Sequence, residues 1–471
     1  MAKYEQLVEQ IKHQIDAGIW QAGDKLPSLR KQSEHSGLSL MTVLHAYQVL
    51  ESQGWIQSRQ RSGYCVSPQS APTSSNVPRA IESMEQIDIN DFIFDVLQAG
   101  RNPHMVTFGH AYPDPSLYPR HQVNKSLMAA ARSMPVSSAL DNLPPGNDTL
   151  RSIIAKRYAA RGINISPDEI VITAGALEAL NLSLQAVTRP GDWVVVESPT
   201  FYGALQTLER LGLKALFIRT DPQHGIDLDS LERALQSHSV KACWLMSTLQ
   251  NPLGFTLSAE KKQQLVQLLS RYQVALIEDD VYSELYAGKE APLPAKAWDR
   301  SANVMHCSSF SKSLVAGFRI GWVAAGQHAL RIQKLQLMST LTTSVPIQLA
   351  LANYLTTRNY EQHLRQLRRK LHERKKAMLD QLHQAFPPGV SITDSDGGYF
   401  IWVALPIGMD AMALYQRALQ EKITIAPGKM FSPGEQFAHC FRLNSSFELT
   451  EQRQRAISRL GELIRQQMGK V

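Results

Sequence analysis

Polar and ionisable side chains follow five apolar runs of the chain, at the points where those runs end. The five segments are Thr173 to Ala176, Pro199 to Tyr202, Asn251 to Gly254, Asp279 to Tyr282, and Ser308 to Lys312. In open α/β sheets, ligands bind outside the carboxyl ends of the strands. We therefore expect these segments to converge on one pocket, although they lie far apart in the sequence.

The residue types in these segments suit the chemistry of pyridoxal 5'-phosphate. Lys312 is the candidate amine for a Schiff base with the cofactor aldehyde. Asp279 is the candidate carboxylate that keeps the pyridine nitrogen protonated, so that the ring can act as an electron sink. Tyr282 and Asn251 are candidate donors to the phenolate oxygen on the opposite side of the ring.

The ring face and the phosphate of that cofactor need further partners. Phe201 offers an aromatic face for the ring, and Tyr202 is the less favoured choice. Backbone N–H groups at a helix start bind phosphate, and an arginine adds a charge-assisted donor. The candidates for this phosphate cage are Gly175, Ala176, Leu177, Ser309, Ser311 and Arg319.

The apolar runs that precede these segments predict the fold that positions them. Runs that are apolar on both faces and separated by helices are typical of a buried, mainly parallel sheet. The runs begin at Ile170, Val194, Leu216, Cys243, Ala275 and Val304. The larger part of the chain is therefore predicted to be an α/β domain.

The first 68 residues have a different pattern. Apolar residues at helical spacing predict a first helix that ends near Gly18, a second over Ser28 to Ser36, and a third after Ser39, its N-cap. Two strand-like runs follow, Trp55 to Arg59 and Gly63 to Ser67. Three helices and a β-hairpin make a winged helix-turn-helix.

This N-terminal region is predicted to bind double-stranded DNA. The start of the second helix of a helix-turn-helix enters the major groove, and a hairpin wing contacts the backbone or the minor groove. Residues 1–68 contain seven Lys and Arg and six Asp and Glu, so their net charge is only +1. The prediction therefore rests on the sequence pattern and not on the charge. The candidate DNA contacts are Arg30, Ser39, Leu40, Met41, Thr42, His45, Arg59, Arg61 and Gly63.

Length and composition bound the remaining possibilities. The chain has 471 residues, 44 % hydrophobic and 19 % charged, with a net charge of +7, as in a soluble protein of two or three domains. No apolar run of membrane-spanning length occurs, and the N-terminus does not resemble a secretory signal. The four isolated cysteines predict reduced thiols in the cytoplasm and no metal site.

The domain boundaries follow from these patterns. Residues 1–68 form the DNA-binding domain, and residues 69–104 form a linker and lead-in segment that starts in a proline- and serine-rich stretch. Residues 105–471 form the cofactor domain, with a large domain over about 165–345 and a small domain from the flanking segments.

The N-terminal motif resembles the GntR family of bacterial repressors and activators. The resemblance is carried by Gly23 to Arg30, Ser39 to Val43, Gly54-Trp55-Ile56 and Ser62-Gly63, and it covers essentially all of residues 1–68. The family usually has an arginine after the serine that begins the recognition helix, where this chain has Leu40. This departure implies an apolar contact at that position, such as one to a thymine methyl group.

The remainder looks like the fold-type I aminotransferases. The resemblance is carried by Asn251-Pro-Leu-Gly, Asp279-Asp-Val-Tyr, Ser309-Phe-Ser-Lys and Gly317-Phe-Arg. It implies a homodimer with sites at the interface, and it implies that Arg442 binds the carboxylate of the substrate or effector. A tyrosine of the family that reaches the partner's phosphate falls near Asp141 here, which implies a shifted register or a missing contact.

A GntR-type domain joined to an aminotransferase-like domain is similar to the MocR subgroup of bacterial transcription regulators. The resemblance implies a regulator that binds an operator with two half-sites and senses pyridoxal 5'-phosphate or an amino compound that forms an imine with it. An active aminotransferase with an accessory DNA-binding domain is the alternative, because the residues that transamination needs on the cofactor side are present. A third interpretation is a DNA-binding protein whose larger domain no longer binds cofactor.

Overall fold

The computed structural model describes residues 3–16, 19–20, 23–59, 63–67, 82–84, 88–134 and 143–469. The chain divides into two compact units, Met1–Arg79 and Ala80–Val471. Among the described residues, no helix has both the length and the apolar character that crossing a membrane requires.

Three helices and two antiparallel strands form the first unit, as predicted. They are α1 (Lys3–Asp16), α2 (Leu29–Ser36), α3 (Leu40–Ser52), β1 (Ile56–Arg59) and β2 (Gly63–Val66). The hydroxyl groups of Ser28 and Ser39 cap α2 and α3 by accepting a backbone N–H from the first turn. The core of this unit consists of Leu7, Val8, Ile11, Leu26, Val43, Ala46, Tyr47, Leu50, Ile56 and Val66.

The second unit is built on a nine-stranded, mainly parallel sheet. The strands of this sheet are β3 (Glu82–Met84), β5 (Ile170–Thr173), β6 (Trp193–Ser198), β7 (Lys214–Asp221), β8 (Gly225–Ile226), β9 (Val240–Leu245), β10 (Ala275–Asp279), β11 (Val304–Ser309) and β12 (Gly321–Ala324). A short strand, β4 (Val106–Thr107), lies outside it. The order across the sheet is β3-β7-β6-β9-β10-β11-β12-β5, and β8 pairs with β7. All six predicted apolar runs are strands of this sheet.

Helices cover the sheet, and further short strands form the C-terminal part of the unit. The helices are α4 (Asn90–Ala99), α5 (Arg120–Ser133), α6 (Asp148–Ala159), α7 (Ala176–Val187), α8 (Tyr202–Arg210), α9 (Leu228–Ser237), α10 (Ala259–Arg271), α11 (Ala329–Ser339), α12 (Val345–Thr357), α13 (Tyr360–Ala385), α14 (Ala411–Gln420) and α15 (Glu451–Met468). The remaining strands are β13 (Ser391–Thr393), β14 (Phe400–Ala404), β15 (Ile423–Thr424), β16 (Ala426–Pro427) and β17 (Cys440–Asn444). Because β4 pairs with β15, the segment before α5 joins the C-terminal part.

The strand directions bring the predicted site segments to one edge. The strands β6, β9, β10 and β11 run parallel, so their carboxyl ends share that edge. The strand β12 is antiparallel to both β11 and β5, and it places Ser309, Gly321 and Thr173 side by side.

Candidate functional site

Lys312 follows β11 and is buried at the edge where the predicted segments meet. Its Nζ donates to the carbonyl of Ala111 at 2.7 Å and lies 3.6 Å from the ring centre of Tyr112 and 5.7 Å from that of Tyr282. Burial, and then the charge of Arg442, lower the pKa of Lys312 to about 7. Much of this amine is therefore unprotonated at neutral pH, and the unprotonated amine is the form that attacks a carbonyl.

Asp279 is the last residue of β10 and is 1 % exposed. Its Oδ1 is buried and has no hydrogen-bond partner among the described residues. Burial, and then the charge of Asp280, raise the pKa of Asp279 to about 7. A buried carboxyl oxygen without a donor is costly, so a cationic N–H group of a ligand fits this position.

Arg442, on β17, is fully buried against two neutral acceptors. Its guanidinium donates to Asn251 Oδ1 at 2.6 Å and to the carbonyl of Gly109 at 2.7 Å. The rings of Phe400 and Phe431 lie 4.2 and 5.1 Å from the guanidinium carbon. Burial lowers the pKa of Arg442. A charge held in such surroundings is suited to a carboxylate supplied by a ligand.

Asn251 has one hydrogen-bonding group to spare. Its Oδ1 accepts from Arg442, whereas its Nδ2 is buried without a partner in the described structure. Tyr282, the second predicted donor, is buried near the same pocket, with its ring centre 5.9 Å from that of Tyr399 and 5.4 Å from that of Phe400. The unused amide group of Asn251 is therefore available to an oxygen of a ligand.

A tight cradle lies where β5 meets α7. Gly175 has φ +89°, and a Cβ atom there would lie 2.5 Å from Nη2 of Arg319. The N–H of Gly175 is donated to the carbonyl of Thr173 at 2.8 Å. The turn that begins α7 therefore already uses this N–H. The interpretation that Gly175, Ala176 and Leu177 supply backbone donors to the phosphate stays a prediction, with Ala176 and Leu177 in the first turn of α7.

The other predicted phosphate ligands surround this cradle. Arg319 is exposed, has φ +51° and donates to the carbonyl of Ala174 at 3.3 Å. Ser309 Oγ accepts the N–H of Ser311 at 3.4 Å, and Ser311 Oγ is buried without a partner in the described residues. The strand register places Ser309 beside Gly321, and a Cβ on Gly321 would approach the carbonyl carbon of Gly175 to 2.5 Å.

Phe201 and Tyr202 lie together at the start of α8. Phe201 is half-buried at the N-cap, and its ring centre is 4.7 Å from that of Tyr202. Tyr202 is buried, and its ring lies 6.1 Å from that of Phe431. The structure therefore brings both rings to the edge of the pocket, with Phe201 the more accessible.

Three tyrosines in the pocket were missed by the sequence analysis. Tyr112 covers Lys312, Tyr399 donates to the carbonyl of Ala111 at 2.9 Å, and Tyr118 donates to the carbonyl of Ser311 at 2.7 Å. Tyr112 and Tyr118 also line an adjoining cavity of about 400 Å³. The proline-rich run Tyr112-Pro-Asp-Pro marks a loop but does not reveal its neighbours.

The predicted DNA contacts that the structure describes belong to α2, to the start and first turns of α3, and to the start of β2. Arg30, Ser39 and His45 are exposed, as are Leu40 at 45 % and Met41 at 72 %. The remaining ones take part in local structure: Thr42 Oγ1 is 2.8 Å from the capping hydroxyl of Ser39, and Gly63 has φ +87°. The His45 ring also contacts Tyr4 at 4.5 Å. Arg61 and the side chain of Arg59 lie outside the described residues, as does Asp141.

Replacing Gly175 by alanine tests the cradle. The added methyl group would displace Arg319 and force a non-glycine residue to φ +89°, at a cost of roughly 1–3 kcal/mol for such a backbone. We expect the affinity for pyridoxal 5'-phosphate, measured by absorbance titration, to fall about tenfold or more. Gly191 is the matched control, since it has φ +90° and open space around its Cβ position. If Gly175→Ala and Gly191→Ala bind pyridoxal 5'-phosphate with equal affinity, Arg319 is not part of the phosphate site.

The chain matches two protein families. Residues 118–460 match the family described as aminotransferase class I and II, and residues 3–66 match the bacterial regulatory proteins of the gntR family. The uncharacterized HTH-type transcriptional regulator YdcR of Escherichia coli K12 is 59 % identical over 470 residues, which cover 99 % of this chain and 100 % of that protein.

Two solved structures are similar to the larger part of the chain. The multiple substrate aminotransferase of Thermococcus profundus has a TM-score of 0.74 and 29 % identity, over 80 % of this chain and 96 % of that one. The α-aminoadipate aminotransferase LysN of Thermus thermophilus, complexed with N-(5'-phosphopyridoxyl)-L-leucine, has a TM-score of 0.73 and 28 % identity, over 80 % of this chain and 95 % of that one.

Proposed function

Because the chain belongs to the aminotransferase class I and II family and begins with a domain of the gntR family, we propose that it is a MocR-type transcriptional regulator that senses amino compounds through pyridoxal 5'-phosphate. The observation that carries this proposal is the buried amine of Lys312, at the edge of the sheet, in a chain that also presents a DNA-binding helix. The relative from Escherichia coli, named as a transcriptional regulator, supports the same interpretation along its whole length.

Pyridoxal 5'-phosphate is the cofactor of this domain, and it fits the buried groups that lack partners. Asp279 Oδ1, Asn251 Nδ2 and Ser311 Oγ are unpaired in the described structure, and they match the ring nitrogen, the phenolate oxygen and the phosphate. When bound, the cofactor supplies an aldehyde that reacts reversibly with amines and a ring that withdraws electrons. Lys312 would hold the aldehyde group through its Nζ, and Asp279 would face the ring nitrogen and favour its protonated form.

Sensing follows from the two roles of this site. With the cofactor bound, an amino compound would take the place of the Lys312 amine at the aldehyde carbon, Arg442 would bind the carboxylate of that compound, and the Lys312 amine would be set free. This release changes the contacts of Lys312 with Ala111 and Tyr112. A ligand shifts an equilibrium between two arrangements of the protein only by its difference in affinity for them. Regulation therefore depends on these contacts differing between the two arrangements.

A homodimer is part of this proposal. The apolar side chains of Leu177, Met338 and Leu341 are 45, 76 and 50 % exposed. They form one surface beside the cradle, since Thr340 donates to Glu178 between them at 2.5 Å. Exposed apolar clusters mark protein interfaces, and a second copy of the chain that covers this surface accounts for it. Two DNA-binding units in one cytoplasmic dimer would contact an operator with two half-sites.

Transamination is the second candidate function. The lowered pKa of Lys312, about 7, suits a group that moves a proton at neutral pH. The two solved structures that resemble this chain are both named as aminotransferases. Sustained turnover of an amino acid with a keto acid, at the roughly 1–10³ per second usual for enzymes, would favour this function.

DNA binding with and without ligands tests the regulatory proposal. We expect the full-length protein to protect two half-sites in a footprint upstream of its own gene. We also expect the affinity to change by roughly 5–150-fold, the usual range of allosteric coupling, when the cofactor or a responsive amino compound is added. Footprinting and gel shifts over a series of ligand concentrations measure both quantities. An affinity for the operator DNA that does not change when the cofactor or any of the amines is added would contradict the proposal.

The Arg30→Ala variant is part of the same experiment. Arg30 is exposed on α2, and the loss of one phosphate contact weakens binding and lowers the slope of log affinity against log salt by about 1. Lys12→Ala is the matched control, because Lys12 lies on α1 and is paired with Glu9 at 3.0 Å. An unchanged slope in Arg30→Ala would place Arg30 outside the DNA interface.

A further inference from the structure

Four side chains form a continuous hydrogen-bonded relay behind the cofactor pocket. Trp322 Nε1 is 3.0 Å from Tyr158 Oη, which is 2.6 Å from His306 Nδ1, and His306 Nε2 is 2.8 Å from Asp280 Oδ2. Tyr158, His306 and Asp280 are 5, 4 and 1 % exposed. The relay joins α6, β11 and β12 to the residue that follows Asp279.

The donors and acceptors of the relay fix its direction. An indole N–H can only donate, so Tyr158 Oη accepts from Trp322. The hydroxyl proton of Tyr158 is then donated to Nδ1 of His306, and Nε2–H of His306 is donated to Asp280. In this assignment, made from the hydrogen-bond pattern, every donor has an acceptor. A doubly protonated His306 would instead leave the buried hydroxyl proton of Tyr158 without an acceptor. The pattern therefore gives the carboxylate of Asp280 one hydrogen-bond donor, the Nε2–H group of His306.

Asp280 is held in place on all sides. Its N–H is donated to the carbonyl of Cys307 at 2.9 Å, and its carbonyl accepts the hydroxyl groups of Ser308 and Ser283 at 3.0 and 3.1 Å. Its Oδ1 is buried without a partner in the described residues, so His306 supplies the hydrogen bond that its carboxylate receives. A second negative charge is thus fixed directly beside Asp279, and its field acts to raise the pKa of Asp279.

We propose that His306 is a positioning residue for the cofactor: through this relay it holds the carboxylate of Asp280 beside Asp279, and the charge of that carboxylate helps the pair of Asp279 and the ring nitrogen to retain its proton. The inference rests on the cofactor assignment and does not depend on the regulatory function. The other ionisable groups around Asp279 and the relay, which the variants below leave unchanged, include Lys312, Lys262, Glu197, Glu278, Cys307 and Tyr282.

Replacing His306 by phenylalanine should change the state of the ring nitrogen. Without its donor, the carboxylate of Asp280 is no longer held beside Asp279, and burial disfavours its charged form. When that negative charge is weakened or removed, the midpoint pH at which the ring nitrogen loses its proton should fall by roughly one unit. This is a tenfold change in the equilibrium constant for proton loss. The ¹⁵N resonance of holoprotein reconstituted with ¹⁵N-labelled pyridoxal 5'-phosphate, followed over a pH titration, measures this midpoint directly.

Conservative variants separate an electrostatic role from a structural one. His306→Gln keeps an N–H donor near the position of Nε2 and should restore the wild-type midpoint. Tyr158→Phe removes one hydroxyl group and retains the ring, so it carries the test if His306→Phe does not fold. It should lower the midpoint as well, because His306 then loses the hydrogen bond that fixes its ring, and its donation to Asp280 weakens.

A distant histidine is the control for general effects. His328 is half-buried and lies 3.0 Å from Asn303 Oδ1, outside the relay, so His328→Phe should leave the midpoint unchanged. Wild-type midpoints in folded His306→Phe and Tyr158→Phe would overturn the inference while leaving the proposed function intact. An equal fall in His328→Phe would also overturn it. A wild-type protein that binds no cofactor would overturn the proposed function together with the inference.

Discussion

The Lys312→Ala variant is expected to lose all covalent attachment of pyridoxal 5'-phosphate. In the wild type, borohydride reduction should fix the cofactor to the chain. The added mass of the reduced cofactor should then remain on the denatured protein and map to the peptide that contains Lys312. Lys312 is the buried amine at the carboxyl edge of the sheet, and burial lowers its pKa to about 7. Mass spectrometry of the reduced and denatured protein measures the covalent fraction, which should fall from nearly complete to zero.

A second buried lysine provides the control. Lys262 is 1 % exposed and donates to Thr248 Oγ1 and to the carbonyl of Leu293, both at 2.8 Å. Burial lowers the pKa of Lys262 as well. If burial alone made a lysine reactive, both amines would be modified. We expect Lys262→Ala to retain the covalent cofactor, and reduced cofactor bound to Lys312→Ala would contradict the assignment.

The same lowered pKa makes the stability of the cofactor-free protein depend on pH. Between the folded pKa of about 7 and the usual value of 10.5, the unfolded chain binds more protons than the folded one at this site. The contribution of Lys312 to folding therefore becomes more favourable as the pH rises through that window, and it is least favourable below pH 7. Relative to Lys312→Met, the cofactor-free wild type should gain stability over this pH range in urea titrations.

The sequence predicted most of the central sheet, because its strands are apolar on both faces and end in polar segments. Helix starts such as Ser28 and Ser39 were equally visible, since a hydroxyl group before an apolar period is a local signal. The strand β12, Gly321–Ala324, was missed. It is four residues long and begins with a glycine that the crowding against Gly175 requires, and this crowding is absent from the local sequence.

Candidate site residues could be proposed where they end a strand or lie shortly after one, as Asp279 and Lys312 do. Tyr112 and Tyr399 could not, because their contacts with Lys312 and Ala111 join segments about 200 to 290 residues apart along the chain. His306 was missed for another reason. It lies within a run of buried strand residues, and its function depends on a hydroxyl group 148 residues away.

Substituting Arg442 by methionine should remove the preference for ligands that carry an α-carboxylate. The guanidinium is fully buried, and its two acceptors, Asn251 Oδ1 and the carbonyl of Gly109, are neutral. A buried charge pair that loses one member costs about 3–5 kcal/mol, which corresponds to roughly 10²- to 4 × 10³-fold in affinity. The measurement is the change in the visible spectrum of the holoprotein on titration with L-phenylalanine and with 2-phenylethylamine, which differ only by the carboxylate.

The control for this prediction is a buried arginine that already has carboxylate partners. Arg151 pairs with Asp148 and Asp168 and is 7 % exposed. Arg151→Met should lower stability because it removes the donor to the carbonyls of Gly146 and Pro167, without changing the ratio between the affinity for the amino acid and that for the amine. Arg442→Met should do the reverse. The ratio of the affinity for the amino acid to that for the amine should fall, while the affinity for the amine is kept. The cofactor-free protein should lose little stability, because a desolvated charge is removed. A ratio that survives in Arg442→Met would show that another group binds the carboxylate, and Arg442 would then be a structural residue of β17.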